Sequence, residues 1–155
     1  METYTVTAPG YASTTAPTVH GPHRNAPSYA GNEVAGASAI LGYSIHRSLI
    51  KGMNVHDRGL RHARFLVLRD TPCPSALVEM GFLSNPEEAE RMKSEAFMTQ
   101  MVQSLTAGIL SYANHVEVAR EEMEDAHSHD DLARNDPEGA PKARIQIPAP
   151  ETRHP

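Results

Sequence analysis

The run from Ala76 to Arg91, ALVEMGFLSNPEEAER, constrains the fold more than any other part of this chain. Its apolar residues Ala76–Val78 lead directly into Glu79, and a glycine follows at position 81. Asn85–Glu88 then has the residues of a helix start: a capping asparagine, a proline at the first helical position and an acidic first turn. A buried strand that ends in a carboxylate and leads into a helix is typical of α/β enzymes, which place catalytic groups at the carboxyl ends of strands. The sequence therefore predicts the α/β class, with Glu79 as a candidate catalytic residue.

The N-terminal part of the chain predicts one strand, one loop and one helix. Residues 2–7 alternate in polarity and are rich in β-formers, which predicts a short strand. Residues 8–32 are rich in Pro, Gly, Ser, Thr and Asn, which predicts a long loop. Apolar residues then recur at helical spacing, so we expect a helix from about residue 33 to 51, with Asn32 as its N-cap.

Two continuous apolar runs follow, Arg64–Arg69 and Ser75–Met80, and runs of this kind are typical of strands covered on both faces. A last helix is predicted to begin near Ser94 and to end by Asn114 or His115. Residues 1–115 are therefore expected to form one domain.

Residues 116–155 are charged and rich in proline, and they contain few core-forming residues. The charged beginning leaves a continuation of the helix open, and the remainder predicts a disordered tail. A net charge of −5 with no block of Lys and Arg gives no basis for nucleic-acid binding. The single Cys73 excludes an intrachain disulfide and a cysteine-based metal cluster. No stretch has the length of a transmembrane helix, and the N-terminus lacks the basic and apolar regions of a signal peptide.

The order of these segments resembles the C-terminal half of the catalytic domain of the amidase type 3 family, the zinc-dependent N-acetylmuramoyl-L-alanine amidases. Met1–Thr7 (METYTVT) resembles the family's "GxE" strand, and Asp57–Leu60 its "RG" segment. Phe65–Arg69 resembles a strand that ends in "LR", and Leu77–Glu87 resembles the signature "LVExGFLSNPxE". The resemblance implies the C-terminal part of a three-layer α/β domain with a mainly parallel sheet, followed by the tail.

The chemistry that the resemblance implies is hydrolysis of the amide between N-acetylmuramic acid and L-alanine in peptidoglycan. Family members hold Zn²⁺ with two His and one Glu and keep an open position for water. The residue matching Glu79 is implied to be the general base toward zinc-bound water and then the proton donor to the departing amine. A periplasmic or extracellular location is implied as well.

The family's metal-ligand motifs have no match in this chain, so no metal ligand is assigned. Ser44–His46 has the letters of the "SIH" motif, but it falls in the predicted helix and in the wrong order. We therefore expect a half-domain whose uncovered sheet edge favours self-association. The alternative is a truncated or degenerate, inactive amidase-like domain that acts as a binding module or is a gene remnant.

Four further side chains are candidates for a site. Arg58 is a candidate contact for the carboxylates of the peptide stem, because Arg binds carboxylates through two hydrogen bonds; a structural pair with Asp57 is equally open. For Arg69 a structural pair with Asp70 is favoured. His20 and His23 have metal-like spacing but no acidic neighbour, which favours surface histidines.

Overall fold

Strand β1 (Glu2–Val6) is the middle strand of a three-stranded sheet and is buried along its whole length. The computed structural model describes residues 1–15 and 28–134. Strand β2 (Leu60–Ala63) pairs with β1 in parallel, and strand β3 (Leu77–Glu79) pairs with it on the other side in antiparallel. The predicted α/β class is confirmed, and the sheet is small and mixed rather than mainly parallel because β3 runs against β1.

The two faces of β1 meet different neighbours. Thr3 and Thr5 point toward helix α2 (Ala35–Gly52), where the Thr5 methyl group approaches the backbone of Gly42. A Cβ at position 42 would lie 2.3 Å from Thr5 Cγ2, so glycine is what permits this close approach. Glu2 and Tyr4 alternate with these threonines and therefore occupy the opposite face of the sheet.

The larger hydrophobic core lies between α2, β1 and the first turns of helix α5, which spans Glu95–Arg134. Leu49 has no exposed surface, and Met101 is 1% exposed. The core belongs to a compact unit of residues Met1–Glu117, and a second unit begins at Val118. Its buried members are Met1, Ile45, Leu49, Met53, Phe97 and Met101.

A smaller cluster covers the opposite face of the sheet, and here one predicted strand is wrong. Residues Leu66–Arg69 form a short helix, α3, and the strand lies before it in β2. Only Leu68 of α3 is buried, whereas Leu66 and Val67 are more than 60% exposed. A helical turn buries one side only, and a short apolar run does not distinguish this from a strand buried on both faces.

The predicted N-cap of the long helix is also wrong. Residues Ala30–Glu33 form a short helix, α1, where the predicted loop meets the predicted helix, and α2 begins after Val34, which offers no side-chain cap. Asn32 lies within α1, where its Oδ1 accepts from Tyr29 N at 2.9 Å and its Nδ2 donates to Thr7 O at 2.8 Å. The asparagine thus ties α1 to the end of β1 and is not free to cap α2.

Helix α4 (Pro86–Met92) begins as predicted, because Asn85 Oδ1 accepts from Glu87 N at 3.0 Å and Glu88 N at 3.3 Å. Helix α5 continues past the predicted end at Asn114 or His115 to Arg134. Residues 116–134 contain no Gly or Pro and many good helix formers, so nothing in that segment stops the helix. Among the helices that the structure describes, none is both long and apolar enough to cross a membrane. His20, His23 and residues 135–155 lie outside the described residues, so the predicted tail from there on stays a prediction.

Candidate active site

Glu79 is the last residue of β3 and lies directly opposite Glu2 of β1. Residues that face each other across an antiparallel pair project from the same side of the sheet, so both carboxylates share the face that carries Tyr4. Glu79 is half-buried, and Glu2 is only 7% exposed. The structure therefore places the predicted catalytic carboxylate at a strand end, beside a second and more deeply buried one.

Glu2 is held by two neighbours on this face. Tyr4 donates its hydroxyl hydrogen to Glu2 Oε2 at 2.5 Å, and Arg61 Nε lies 3.7 Å from the same oxygen. Burial, the hydrogen bond to Glu2 and the negative charges of Glu2 and Glu79 raise the pKa of Tyr4 to about 12. The phenol therefore stays protonated and neutral throughout the physiological pH range.

Glu2, Tyr4 and Arg61 were not predicted as site residues. The alternation in residues 2–7 is sufficient to place Glu2 and Tyr4 on one face of a strand. Their position next to Glu79 depends on the pairing of β1 with β3, and the sequence pattern alone does not give that register.

The turn that follows Glu79 is fastened by Glu88 of α4. Glu88 Oε2 accepts from Phe82 N at 2.7 Å, and Glu88 Oε1 forms an ion pair with Arg58 Nη2. The Arg58 guanidinium also lies over the Phe82 ring, 4.8 Å from its centroid. The hydrogen bond from Arg58 and then that from Phe82 N–H lower the pKa of Glu88, and the hydrogen bond to Glu88 raises the pKa of Arg58.

Asp57 does not pair with Arg58, although the sequence left that pair open. Asp57 Oδ1 accepts from Gly59 N at 2.7 Å and lies 3.0 Å from His46 Nε2. The Gly59 N–H and, after it, the contact with His46 lower the pKa of Asp57. The other ring nitrogen of His46, Nδ1, lies 3.0 Å from Thr3 Oγ1, so this buried histidine joins α2 to β1.

Arg69 has the structural partner that was favoured, since its Nε lies 3.1 Å from Asp70 Oδ1. Cys73 is exposed.

The described residues do not form a zinc site. Zn²⁺ requires at least three protein ligands, and no group of three His, Cys, Asp or Glu side chains comes together within residues 1–15 and 28–134. Glu2 and Glu79 provide two carboxylates and no histidine joins them, so the donor set does not fit the metal that the family resemblance implies.

Comparison with known proteins agrees with this architecture. The family model described as N-acetylmuramoyl-L-alanine amidase, Amidase_3, matches residues 4–111 of the 155. The chain therefore belongs to the Amidase_3 family, which is generally zinc-dependent.

Individual relatives and a solved structure also match this chain. The N-acetylmuramoyl-L-alanine amidase AmiC of Neisseria meningitidis is 39% identical over 77 residues, which are 50% of this chain and 18% of the relative. The amidase CwlM of Bacillus licheniformis is 37% identical over 65 residues, 42% of this chain and 26% of the relative. The catalytic domain of CwlV from Paenibacillus polymyxa superposes with a TM-score of 0.53 at 25% identity, covering 73% of this chain and 48% of that structure. This chain thus spans about a quarter or less of those two relatives and about half of the solved domain.

Proposed function

We propose that this chain serves the hydrolysis of the amide bond between N-acetylmuramic acid and L-alanine in peptidoglycan, with Glu79 as the general acid/base. Family membership supports the reaction class, and the position of Glu79 supports its role. The observation that carries the proposal is a half-buried carboxylate at the end of β3, on a strand whose sequence matches the family signature.

The proposed role of Glu79 is to move one proton. The carboxylate accepts a proton from the water whose oxygen attacks the amide carbonyl carbon, which gives a tetrahedral intermediate. Glu79 then returns the proton to the amide nitrogen, the C–N bond breaks, and L-alanine leaves with a free amino group. The substrate is thereby split into a muramic acid carboxylic acid and a stem peptide, with one water consumed.

Zinc enters this proposal only as the family's usual cofactor. The described residues do not supply its ligands, so no step above depends on it. The implied partner is peptidoglycan, and the implied location is the periplasm or the outside of the cell. Self-association is part of the proposal too: β3 is an outer strand of the described sheet, and outer strands offer backbone groups for pairing with another chain. At the other edge, the backbone N–H and C=O of His62 in β2 are bonded to Thr14.

The role of Arg58 in binding stem carboxylates stays a proposal, and the Glu88 carboxylate competes for the same guanidinium. Its Nη2 and one face of its guanidinium are already engaged by Glu88 and Phe82. A substrate carboxylate would therefore approach the remaining edge of the guanidinium or displace Glu88.

The test compares the chain with Glu79→Gln on purified peptidoglycan, with zinc supplied and zinc content measured. Loss of a general acid/base lowers the rate by about 10²–10⁴-fold. Glu90→Gln is the matched control, because this carboxylate lies on α4, is 76% exposed and pairs with Lys93. We expect Glu79→Gln to lose turnover and Glu90→Gln to keep it.

Two other results would redirect the proposal. Equal turnover by the Glu79→Gln variant and the unsubstituted chain would remove Glu79 from the chemistry. Absence of turnover in the unsubstituted chain, with retained sedimentation on peptidoglycan, would favour the alternative of an inactive binding module.

A further inference from the structure

The turn from Met80 to Asn85, directly after Glu79, has few apolar anchors. Its apolar side chains are partly or largely exposed: Met80 is 40% exposed, Phe82 48% and Leu83 79%. The turn closes through one backbone hydrogen bond, in which Asn85 N donates to Phe82 O at 3.0 Å. Hydrophobic burial therefore contributes little to the position of this segment.

Polar contacts from outside the turn hold it instead. The carboxylate of Glu88, on α4, accepts a hydrogen bond from Phe82 N. Arg58 forms an ion pair with the same carboxylate, and its guanidinium lies over the Phe82 ring. We name Arg58, Phe82 and Glu88 the turn clamp. The side chains of Arg58 and Glu88 are 20% and 18% exposed, so the ion pair is largely shielded from water. Charge-assisted hydrogen bonds are shorter and stronger than neutral ones, and ion pairs that are fully exposed contribute little.

Because residue 81 is glycine, the carboxylate of Glu88 can lie against the turn. A Cβ at position 81 would come within 2.6 Å of Glu88 Oε2 and 2.9 Å of Met92 Cε. The packing of Glu88 and Met92 therefore favours glycine at this position, in addition to any room that the glycine leaves for substrate.

The clamp is also tied to the strand that pairs with β3. Arg58 N donates to Met1 O at 3.0 Å, immediately before Glu2 of β1. Glu2 is the residue opposite Glu79. Arg58 thus makes two connections. Its backbone is bonded to the beginning of β1, and its side chain contacts the turn after Glu79.

We propose that Arg58 and Glu88 are positioning residues for Glu79: the clamp fixes the turn after β3 and thereby the direction of the Glu79 carboxylate. This inference rests on the proposed function of Glu79. Neither residue touches the reacting atoms in this role. In this role Arg58 acts through the Phe82 turn, whereas a contact between Arg58 and a stem carboxylate would change KM.

The test uses Arg58→Met, which keeps an unbranched side chain but removes the charge, and Arg58→Lys, which keeps the charge but loses the planar guanidinium. The matched control is Lys93→Met, which removes a cation from the exposed pair with Glu90, whose side chains are 72% and 76% exposed. Three quantities are measured in each variant: amide hydrogen exchange at Phe82, the NMR signal of the Glu79 side-chain carboxyl carbon, and kcat and KM on peptidoglycan.

We expect Arg58→Met to speed Phe82 exchange, to move the Glu79 carboxyl signal and to lower kcat about 10- to 100-fold, with KM nearly unchanged, since small misplacements of a catalytic group reduce rate at this scale. Arg58→Lys is expected to give values between those of Arg58→Met and those of the unsubstituted chain. Lys93→Met is expected to match the unsubstituted chain. Exchange at Leu49, in the core, reports whether the fold as a whole has loosened, and it should not change.

Two results would overturn the inference. A raised KM with unchanged kcat and unchanged Phe82 exchange would make Arg58 a substrate-binding residue. Faster Phe82 exchange with an unmoved Glu79 signal would make the clamp purely local. If the unsubstituted chain shows no turnover, the proposed function fails, whereas the exchange and NMR measurements still decide whether the clamp positions Glu79.

Discussion

The core between α2 and α5 and the turn after Glu79 are held in place by different forces. In the core, side chains such as Leu49 and Met101 are almost completely removed from water and make no polar contacts. In the turn, the apolar side chains are exposed, and the backbone is held by the hydrogen bond that Phe82 N donates to Glu88, whose carboxylate also pairs with Arg58. The difference implies that the core sets the stability of the whole unit, whereas the turn sets local geometry at the candidate active site.

The largest effect on stability is expected from the core. Leu49→Ala removes a side chain with no exposed surface, and the lost burial together with the cavity costs about 2–5 kcal/mol. Chemical unfolding followed by circular dichroism measures this change. Leu110→Ala, at a position that is 59% exposed, is the control and should change the unfolding free energy by less than about 0.5 kcal/mol. Equal effects at the two positions would contradict the assigned core.

A smaller effect is expected where the turn joins α4. Asn85→Ala removes the side-chain oxygen that accepts from Glu87 N and Glu88 N, and loss of such a cap costs about 1 kcal/mol. Asn85→Asp keeps an acceptor at the same place and should retain most of the stability. If Asn85→Ala destabilised the chain as much as Leu49→Ala does, the conclusion that the core sets the stability of the unit would be contradicted.

The smallest effect is a local response to acid in the turn. Because the pKa of Glu88 is lowered in the folded chain, its contribution is present above the ordinary glutamate range of about 4.3 and is lost as the pH falls through the lowered value. Acidification should therefore speed amide exchange at Phe82, after correction for the intrinsic pH dependence of exchange, before exchange at Leu49 changes. Glu88→Gln should abolish this pH response, and its persistence in that variant would assign the response to another group.

The sequence predicted those features that depend on local chemistry. The strand at the N-terminus, a strand ending at Glu79 and the cap at Asn85 are all present, because alternation, an apolar run and a capping residue act within a few positions. The strand at Glu79 spans Leu77–Glu79 rather than the predicted Ser75–Met80, and it is a partly exposed outer strand rather than one covered on both faces. Residues 64–69 were misassigned because a short apolar run is compatible with a strand or a helical turn, and the packing of Leu68 decides between them. The end of α5 was placed too early because the apolar stripe stops near Tyr112, while helix-forming charged residues continue.

The candidate site was predictable only in part. The position of Glu79 at a strand end was predicted from the apolar run and the signature. The placement of Glu2 beside Glu79, and of Glu88 beside Arg58, depends on contacts between residues far apart in the chain. The sequence offered Asp57 as the partner of Arg58 because it is adjacent. The fold instead gives Asp57 to Gly59 and His46, and gives Arg58 to Glu88, thirty positions away.

The most direct test of the proposed function is identification of the bond that is cut. Purified peptidoglycan is incubated with the chain and zinc, and the products are analysed by mass spectrometry beside those from Glu79→Gln. The proposed function predicts stem peptides with a free N-terminal L-alanine and glycan strands whose muramic acid carboxyl groups are free. Both products should be absent with Glu79→Gln. Cleavage within the glycan or within the stem peptide, or the same products from both proteins, would contradict it.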